Sequence, residues 1–207
     1  MAEIRNIVFD LGGVLIDWNP RYLYRKLFEN AGEMEFFLRE VCHGHWNEQL
    51  DGGRDFAEAC AQRASEWPQY EEHILAYYHR WPEMLKGSLD ESVEILDYYR
   101  QHQDYRLFAI TNWSAQTYPI AQGLYPFLHW FEDVVVSGRE KLLKPHAEIY
   151  QLLLHRNNIE ASQSLFIDDN PANVAGAKAI GMAAVQFFTS HQLKKDLHLL
   201  QLYPAAG

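Results

Sequence analysis

Five short apolar runs, each broken off by a polar or glycine-rich turn, punctuate this chain, and none alternates strictly with polar residues. Asn6 to Phe9 runs into Asp10 and a Gly12-Gly13 turn, and Tyr105 to Ile110 runs into Thr111 and Asn112. Asp133 to Val136 is a third run, Ser164 to Ile167 ends at Asp168 and Asp169, and Met182 to Phe188 closes the series. Runs without alternation suit strands buried on both faces, as in a parallel sheet. Helical spacing fills the gaps. Ser88 to Glu91 reads as a capping box ahead of Val93, Leu96 and Tyr99. Pro145 takes a first helical position before Ile149, Leu152 and Leu153. Asn170 and Pro171 open a helix that Gly181 closes. Strands alternating with helices of this length predict βαβ crossovers and an open, doubly wound α/β sheet.

Residues 17–88 have a different texture. They contain no strand-like run, are helical and aromatic, and are interrupted at Leu50-Asp51-Gly52-Gly53-Arg54. This segment leaves just after the first strand, where an insert hangs over the carboxyl ends of the strands and hence over the ligand site of an open α/β sheet. The expectation is a core of residues 1–16 and 89–207 with an all-helical cap at 17–88. The alternative is a decorative insertion that never touches the site.

Composition narrows the class. The 207 residues are 48% apolar and include 29 aromatics, ample for a sizeable core, so disordered and fibrous classes fall away. Eighteen basic against 28 acidic residues give a net charge of −10, and without a basic cluster the chain is not expected to bind nucleic acid. No run of 18 apolar residues spans a membrane. Cys42 and Cys60 are too few for a disulfide scaffold, and the opening Met1-Ala2-Glu3 lacks the pattern of a signal peptide, so a cytoplasmic protein is expected. Monomer and homodimer stay equally open.

Polar residues gather at the ends of the predicted strands: Asp10, then Thr111 with Asn112, then Lys144, then Asp168 with Asp169. A parallel sheet brings these ends to one edge. Three carboxylates gathered there repel one another unless a cation sits among them, and a hard divalent ion with oxygen ligands, Mg²⁺, relieves the repulsion. Asp10 is then placed to attack as a carboxylate nucleophile and form an aspartyl-phosphate. Lys144 balances the charge, and Thr111 with the amides that follow donates to phosphoryl oxygens.

In this order, Asp10-Leu11-Gly12-Gly13-Val14, Ile110-Thr111-Asn112, Lys144-Pro145 and Asp168-Asp169-Asn170 resemble the four motifs of the haloacid dehalogenase superfamily. The insert sits where that superfamily carries a helical cap, and the likeness covers nearly the whole chain. Thr111-Asn112-Trp113, Lys144 to Tyr150 and Asp168 to Val174 most resemble the branch of the epoxide hydrolase N-terminal phosphatase domain and the bacterial glucose 1-phosphate phosphatases. The resemblance implies a Mg²⁺-dependent hydrolase of small phosphorylated metabolites such as sugar phosphates. It also implies that the Gly12 carbonyl joins Asp10, Asp168 and Asp169 around the metal, while Thr111, Asn112 and Lys144 hold phosphate.

One departure matters. Phosphatases of the superfamily carry a second aspartate two residues after the nucleophile to protonate the leaving group, and here that position is Gly12. Losing a positioned general acid commonly costs ~10²–10⁴-fold. Three readings follow: a cap residue (His43, His45 or Asp17) replaces it, the leaving group needs little help, or the site is impaired and the protein binds phosphometabolites without efficient turnover. The metal-independent 2-haloacid dehalogenases of the same fold are the enzymatic alternative, against which the paired acids Asp168 and Asp169 argue.

Lesser signals complete the reading. The Leu50–Arg54 turn resembles the one in family caps that points at the leaving group. Arg54 or Arg21 is a candidate for the substrate's second polar end, and His43 or His45 for a contact at the cap mouth. The two histidines are two residues apart and would diverge on a helix, which disfavours a metal site of their own. Trp46, Trp67, Tyr70, Tyr77, Tyr78 and Trp81 read as the cap's own core, with Cys42 and Cys60 as core thiols. Asn173 stands where many relatives have aspartate, and Lys141 reads as a surface residue.

Overall fold

The computed structural model describes residues 3–204, so Met1 and Ala2, on which part of the N-terminal reading rests, lie outside the described residues. Strand β1 (Asn6–Phe9) and a short β2 (Ile16–Trp18) lead into five helices: α1 (Arg21–Tyr24), α2 (Ala31–Phe36, prolonged by a π-helical turn to Val41), α3 (Gly44–Asp51), α4 (Phe56–Glu66) and α5 (Glu71–His79). The chain then returns through β3 (Leu85–Ser88), α6 (Asp90–Gln101), β4 (Arg106–Thr111), α7 (Tyr118–Leu124), β5 (Asp133–Val136), α8 (Ser137–Glu140) and α9 (Ala147–Asn157). It ends with β6 (Ser164–Asp168), α10 (Pro171–Ala179), β7 (Ala183–Gln186) and α11 (Ser190–Leu199). No helix among the described residues is long and apolar enough to cross a membrane.

Strands β5-β4-β1-β6-β7 form one sheet in that order, every pair parallel. Successive side chains of a strand point to opposite faces, and here both faces are buried. Ile7 and Phe9 of β1, Leu107 and Ala109 of β4, and Leu165 and Ile167 of β6 pack with Ile95, Leu96 and Tyr99 of α6 and Leu193 of α11. Val8, Phe108 and Phe166 face the other way, onto Ile149, Tyr150 and Leu153 of α9 and Ala177 of α10. This two-sided burial is why the strands read as unbroken apolar runs. The chain builds outward on both sides of β1, so the strand order reverses there, the position at which open α/β sheets bind ligands.

The apolar core on one face of the sheet continues without a break into the segment between β2 and β3. Tyr24, Phe37, Trp46, Phe56 and Tyr77 are buried with Cys42 and Cys60, Tyr24 lying 4.8 Å from Phe37 and Trp46 edge-on to Tyr77 at 5.0 Å. Trp67, Tyr70 and Tyr78 pack partly buried around it, while Trp81 reaches the core of the sheet, 5.6 Å from Trp113.

Three local expectations are corrected. The segment from 17 to 88 is not free of strands: β2 and β3 pair antiparallel, Ile16 with Ser88 and Trp18 with Leu85. Their pairing joins residues far apart in sequence, which no local apolar run announces. The capping box does not form, because Ser88 belongs to β3 and its hydroxyl donates to the Asp90 carboxylate, so α6 begins at Asp90 without a side-chain cap. Pro145 lies before the helix, since α9 starts at Ala147 with His146 as its N-cap. Asn170 does cap α10, accepting from the Ala172 amide at 2.9 Å.

Candidate active site

Register decides where the polar strand ends meet. Phe9 pairs with Ala109 on one side and Ile167 on the other, so Asp10 comes level with Ile110 and Asp168. Its amide donates to the Ile167 carbonyl at 2.8 Å. Lys144 reaches this edge from the segment before α9. Its ammonium donates to the Ile110 carbonyl at 2.9 Å and to Asp168 Oδ2 at 2.7 Å, and lies 2.8 Å from Asp10 Oδ1. All three of its protons are thereby used. Asp10, Lys144 and Asp168 are all buried, an arrangement that is tolerable only because each charge is paired and hydrogen-bonded.

Burial alone would lower the Lys144 pKa, but the Asp10 and Asp168 carboxylates outweigh it and hold the ammonium above its usual range. Asp10 is pushed up to about 7, first by burial, then partly relieved by Lys144 and raised again by Asp168 and Asp169. Asp169 also rises, through burial and the neighbouring Asp168. Each of the three acids offers an oxygen within 4.8 Å of the others, the one such cluster of potential metal ligands among the described residues.

The three acids differ in what they have left to give. Asp168 is saturated: Oδ1 accepts from the Asn170 amide at 2.8 Å, the Asn173 side chain donates to both oxygens at 3.1 and 3.0 Å, and Lys144 takes Oδ2. Asp169 is exposed, and among the described residues no side chain donates to its carboxylate. It lies so close to Gly13 that a Cβ there would sit 2.6 Å from Asp169 Oδ2, and Gly13 has a φ of +78°. Only glycine meets both conditions.

Thr111 ends β4, buried to 1% exposure, and its hydroxyl has no hydrogen-bond partner among the described residues. Asn112 is occupied differently from the expectation. Its side chain donates to the Lys144 carbonyl at 3.0 Å and accepts from the Lys144 amide at 2.9 Å, so it fixes the lysine backbone rather than standing free for a ligand. Above these groups lies a cavity of about 400 Å³. Asp10, Gly12, Thr111, Lys144 and Asp169 line its core wall, and Asn47, Asp51, Phe56 and Trp81 its insert wall.

Other predicted residues lie elsewhere. His43 caps α3, accepting from the Trp46 amide at 3.2 Å, and with Arg21 it lines a shallow surface groove. His45 is exposed and meets Glu48 at 3.3 Å. Arg21 is held by both oxygens of Glu35 at 2.7 and 2.6 Å. Arg54 is bound to Gln49 and Gln62 at 2.6 and 2.5 Å, and Asp17 accepts from the Tyr22 hydroxyl at 2.9 Å. None of the five lines the cavity. Lys141 is exposed, as expected. The residue that sequence reasoning missed is Asp51. It stands in the turn that had drawn attention, four residues after Asn47 on the same helix face, and that spacing was the available signal.

Known proteins resemble the chain across this whole architecture. It is 24% identical over 186 residues to the sesquiterpene phosphatase astK of Aspergillus oryzae, spanning 88% of this chain and 89% of that protein. It is likewise 24% identical over 187 residues to the fructose-1-phosphate phosphatase YqaB of Escherichia coli, spanning 86% and 94%. Among solved structures, the HAD family enzyme bt-2542 of Bacteroides thetaiotaomicron, in complex with magnesium and inorganic phosphate, shares the fold with a TM-score of 0.68 at 22% identity over 90% of this chain and 95% of that one. The model of haloacid dehalogenase-like hydrolases matches residues 4–181, and the chain belongs to that family of hydrolases.

Proposed function

We propose that the protein is a cytoplasmic, magnesium-dependent phosphatase that hydrolyses a small phosphorylated metabolite, a sugar phosphate or a similar ester, through an aspartyl-phosphate on Asp10. The observation that carries this reading is the state of Asp10. One oxygen is held by Lys144, and the carboxylate opens on a cavity beside Asp169 and the Thr111 hydroxyl, which has no partner among the described residues. The relatives named as phosphatases support hydrolysis of a phosphate ester. Two free, buried cysteines fit a reducing compartment.

The residues present fit a magnesium ion. Their donors are all oxygen, as a hard cation requires, and three carboxylates against one ammonium leave an excess of negative charge. Because Asp168 is saturated, the acids free to hold the ion are Asp10 and Asp169, with the Gly12 carbonyl on the cavity wall as a third donor. Bound there, Mg²⁺ supplies positive charge to the phosphoryl oxygens and offsets the clustered acids.

The chain's own residues do the rest. Lys144 orients Asp10 for attack on phosphorus and keeps it from rotating away, while Asp168, Asn112 and Asn173 keep Lys144 in place. Thr111 donates its hydroxyl to a phosphoryl oxygen. Residues 17–88 act as a cap on the core of residues 1–16 and 89–207, and their Asn47, Asp51, Phe56 and Trp81 face the part of the ester that departs. A cavity of about 400 Å³ suits a small metabolite.

The test is hydrolysis of p-nitrophenyl phosphate. Turnover is expected to need Mg²⁺, to disappear with EDTA and return on adding the ion. Asp10→Asn should lower it on the order of 10⁴-fold or more, the scale of removing a nucleophile, in a protein that still folds. Turnover that survives chelation, or an active Asp10→Asn variant, overturns the reading.

A further inference from the structure

The phosphatase mechanism needs a proton for the oxygen that leaves, and Gly12 has none to give. The three insert residues considered for it, His43, His45 and Asp17, are not on the cavity wall. Asp51 is.

Asp51 ends α3 and shares the cavity with Asp10. It is held in place from both sides. Asn47 donates to Asp51 Oδ2 at 2.8 Å, and the Tyr77 hydroxyl donates to Asn47 Oδ1 at 2.8 Å, which fixes the direction of the Asn47 amide. The backbone of the turn is fastened to the core: Ser137 Oγ donates to the Asp51 carbonyl at 2.6 Å. Gly53, with a φ of +97°, lies so close to Gly138 that a Cβ would stand 2.8 Å from its carbonyl. The distance between Asp51 and the sheet edge is therefore set by backbone packing, not by a flexible arm.

We infer that Asp51 is the general acid–base of this site, standing in from the insert for the side chain that Gly12 lacks. Its surroundings favour the protonated form. Burial and Glu48 push the carboxyl well above the usual carboxylate range, Asp10 adds to the push, and a backbone hydrogen bond from Ser114 and the charge of Lys144 oppose it without prevailing. The bond from Asn47 to Oδ2 is kept when the proton sits on the other oxygen.

The inference rests on the phosphatase reading, and the steps balance. Asp10 forms a bond to phosphorus as the ester P–O bond breaks, and the leaving oxygen takes the proton of Asp51, giving an alcohol, an aspartyl-phosphate and an Asp51 carboxylate. Water then attacks the phosphorus and gives its proton to Asp51 as the P–O bond to Asp10 breaks. Inorganic phosphate leaves, and both acids return to their starting states.

A pair of esters tests the role: an alkyl phosphate, whose alkoxide leaves poorly without a proton, and p-nitrophenyl phosphate, whose phenolate leaves well. Asp51→Asn should lower kcat/KM on the alkyl ester by ~10²–10⁴-fold and on the aryl ester at least ~10-fold less. Room exists for a replacement acid at Gly12, where an added Cβ meets nothing within 4 Å. Gly12→Asp in the Asp51→Asn background should therefore recover most of the alkyl activity. Equal losses on both esters, or no loss on either, would overturn the assignment. If Asp51→Asn does not fold, Gly12→Asp alone decides. In the presence of Asp51 it should shift the alkyl-to-aryl ratio by no more than ~3-fold, whereas a ~10²-fold rise on the alkyl ester alone means that the native site had no acid. An unaltered protein that turns over neither ester with Mg²⁺ defeats the phosphatase reading itself, and this assignment falls with it.

Discussion

The two walls of the cavity are built on opposite principles. On the core wall, charges answer one another: Lys144 spends its three protons on Ile110, Asp10 and Asp168, and Asp168 is filled by Lys144, Asn170 and Asn173. On the insert wall an acid and an amide, Asp51 and Asn47, stand among Phe56 and Trp81, and the acid's nearest charged neighbour on its own helix is another acid, Glu48. The first wall is an electrostatic lattice that holds Asp10 in place. The second is a largely apolar frame whose burial favours the protonated form of one carboxyl. A shared edge of strands can make the first from short motifs, whereas the second needs helices from across the insert to pack correctly.

The sharpest way to break this contrast is to remove the cation from the core wall. Lys144→Met leaves Asp168 wholly buried with its partner gone, a change that costs about 3–5 kcal/mol in comparable buried pairs. Denaturant unfolding should register that loss together with loss of turnover. A variant as stable as the parent would mean that the buried pair contributes nothing to the fold. Asn173→Asp comes next. It replaces the donor to both Asp168 oxygens with another carboxylate, and about 1–3 kcal/mol of stability should go, reduced by addition of Mg²⁺. Unchanged unfolding would show that the Asn173 donor is dispensable.

The smallest effect belongs to the surface of the insert. Arg80 first, and then Lys26, hold the Glu83 carboxyl down to about 2. A depressed folded-state pKa contributes stability above the unfolded value of 4.5, and this is lost as the pH falls toward 2. The pair is solvated, so Glu83→Gln should cost only roughly 0.2–1 kcal/mol at pH 7, with the gap closing between pH 4.5 and 2. Urea unfolding at pH 7 and pH 3 measures it, and a gap that widens in acid would contradict the sign.

The same contrast governs how far the molecule can be read from its residues. β1 and β5 begin and end where their apolar runs do, and the runs of β4, β6 and β7 fall within a residue or two of the strands; in β1, β4 and β6, burial on both faces demands that composition. Asp10, Thr111, Lys144 and Asp168 are legible as a group, since a parallel sheet carries strand ends to one edge. The insert is legible only as helical and aromatic. β2 and β3 owe their existence to each other across 66 intervening residues, from Asn19 to Met84. Arg54 drew attention by its charge, yet it turns toward Gln49 and Gln62, while Asp51 three positions earlier faces the cavity. Which side of a turn meets a site depends on the docking of Gly53 against Gly138, a contact between distant segments that spacing does not encode.

The β2–β3 pair carries a consequence for how such a molecule is altered. Because Ile16 lies beside Ser88 and Trp18 beside Leu85, the outgoing and returning crossings are neighbours, about one strand spacing apart at ~4.8 Å. A foreign helical segment whose two ends lie that close could replace residues 19–84 without moving either splice point. Asp10 and Lys144 lie outside the exchanged stretch and Asp51 inside it, so under the proposed mechanism the graft would keep the attack and have to bring its own proton.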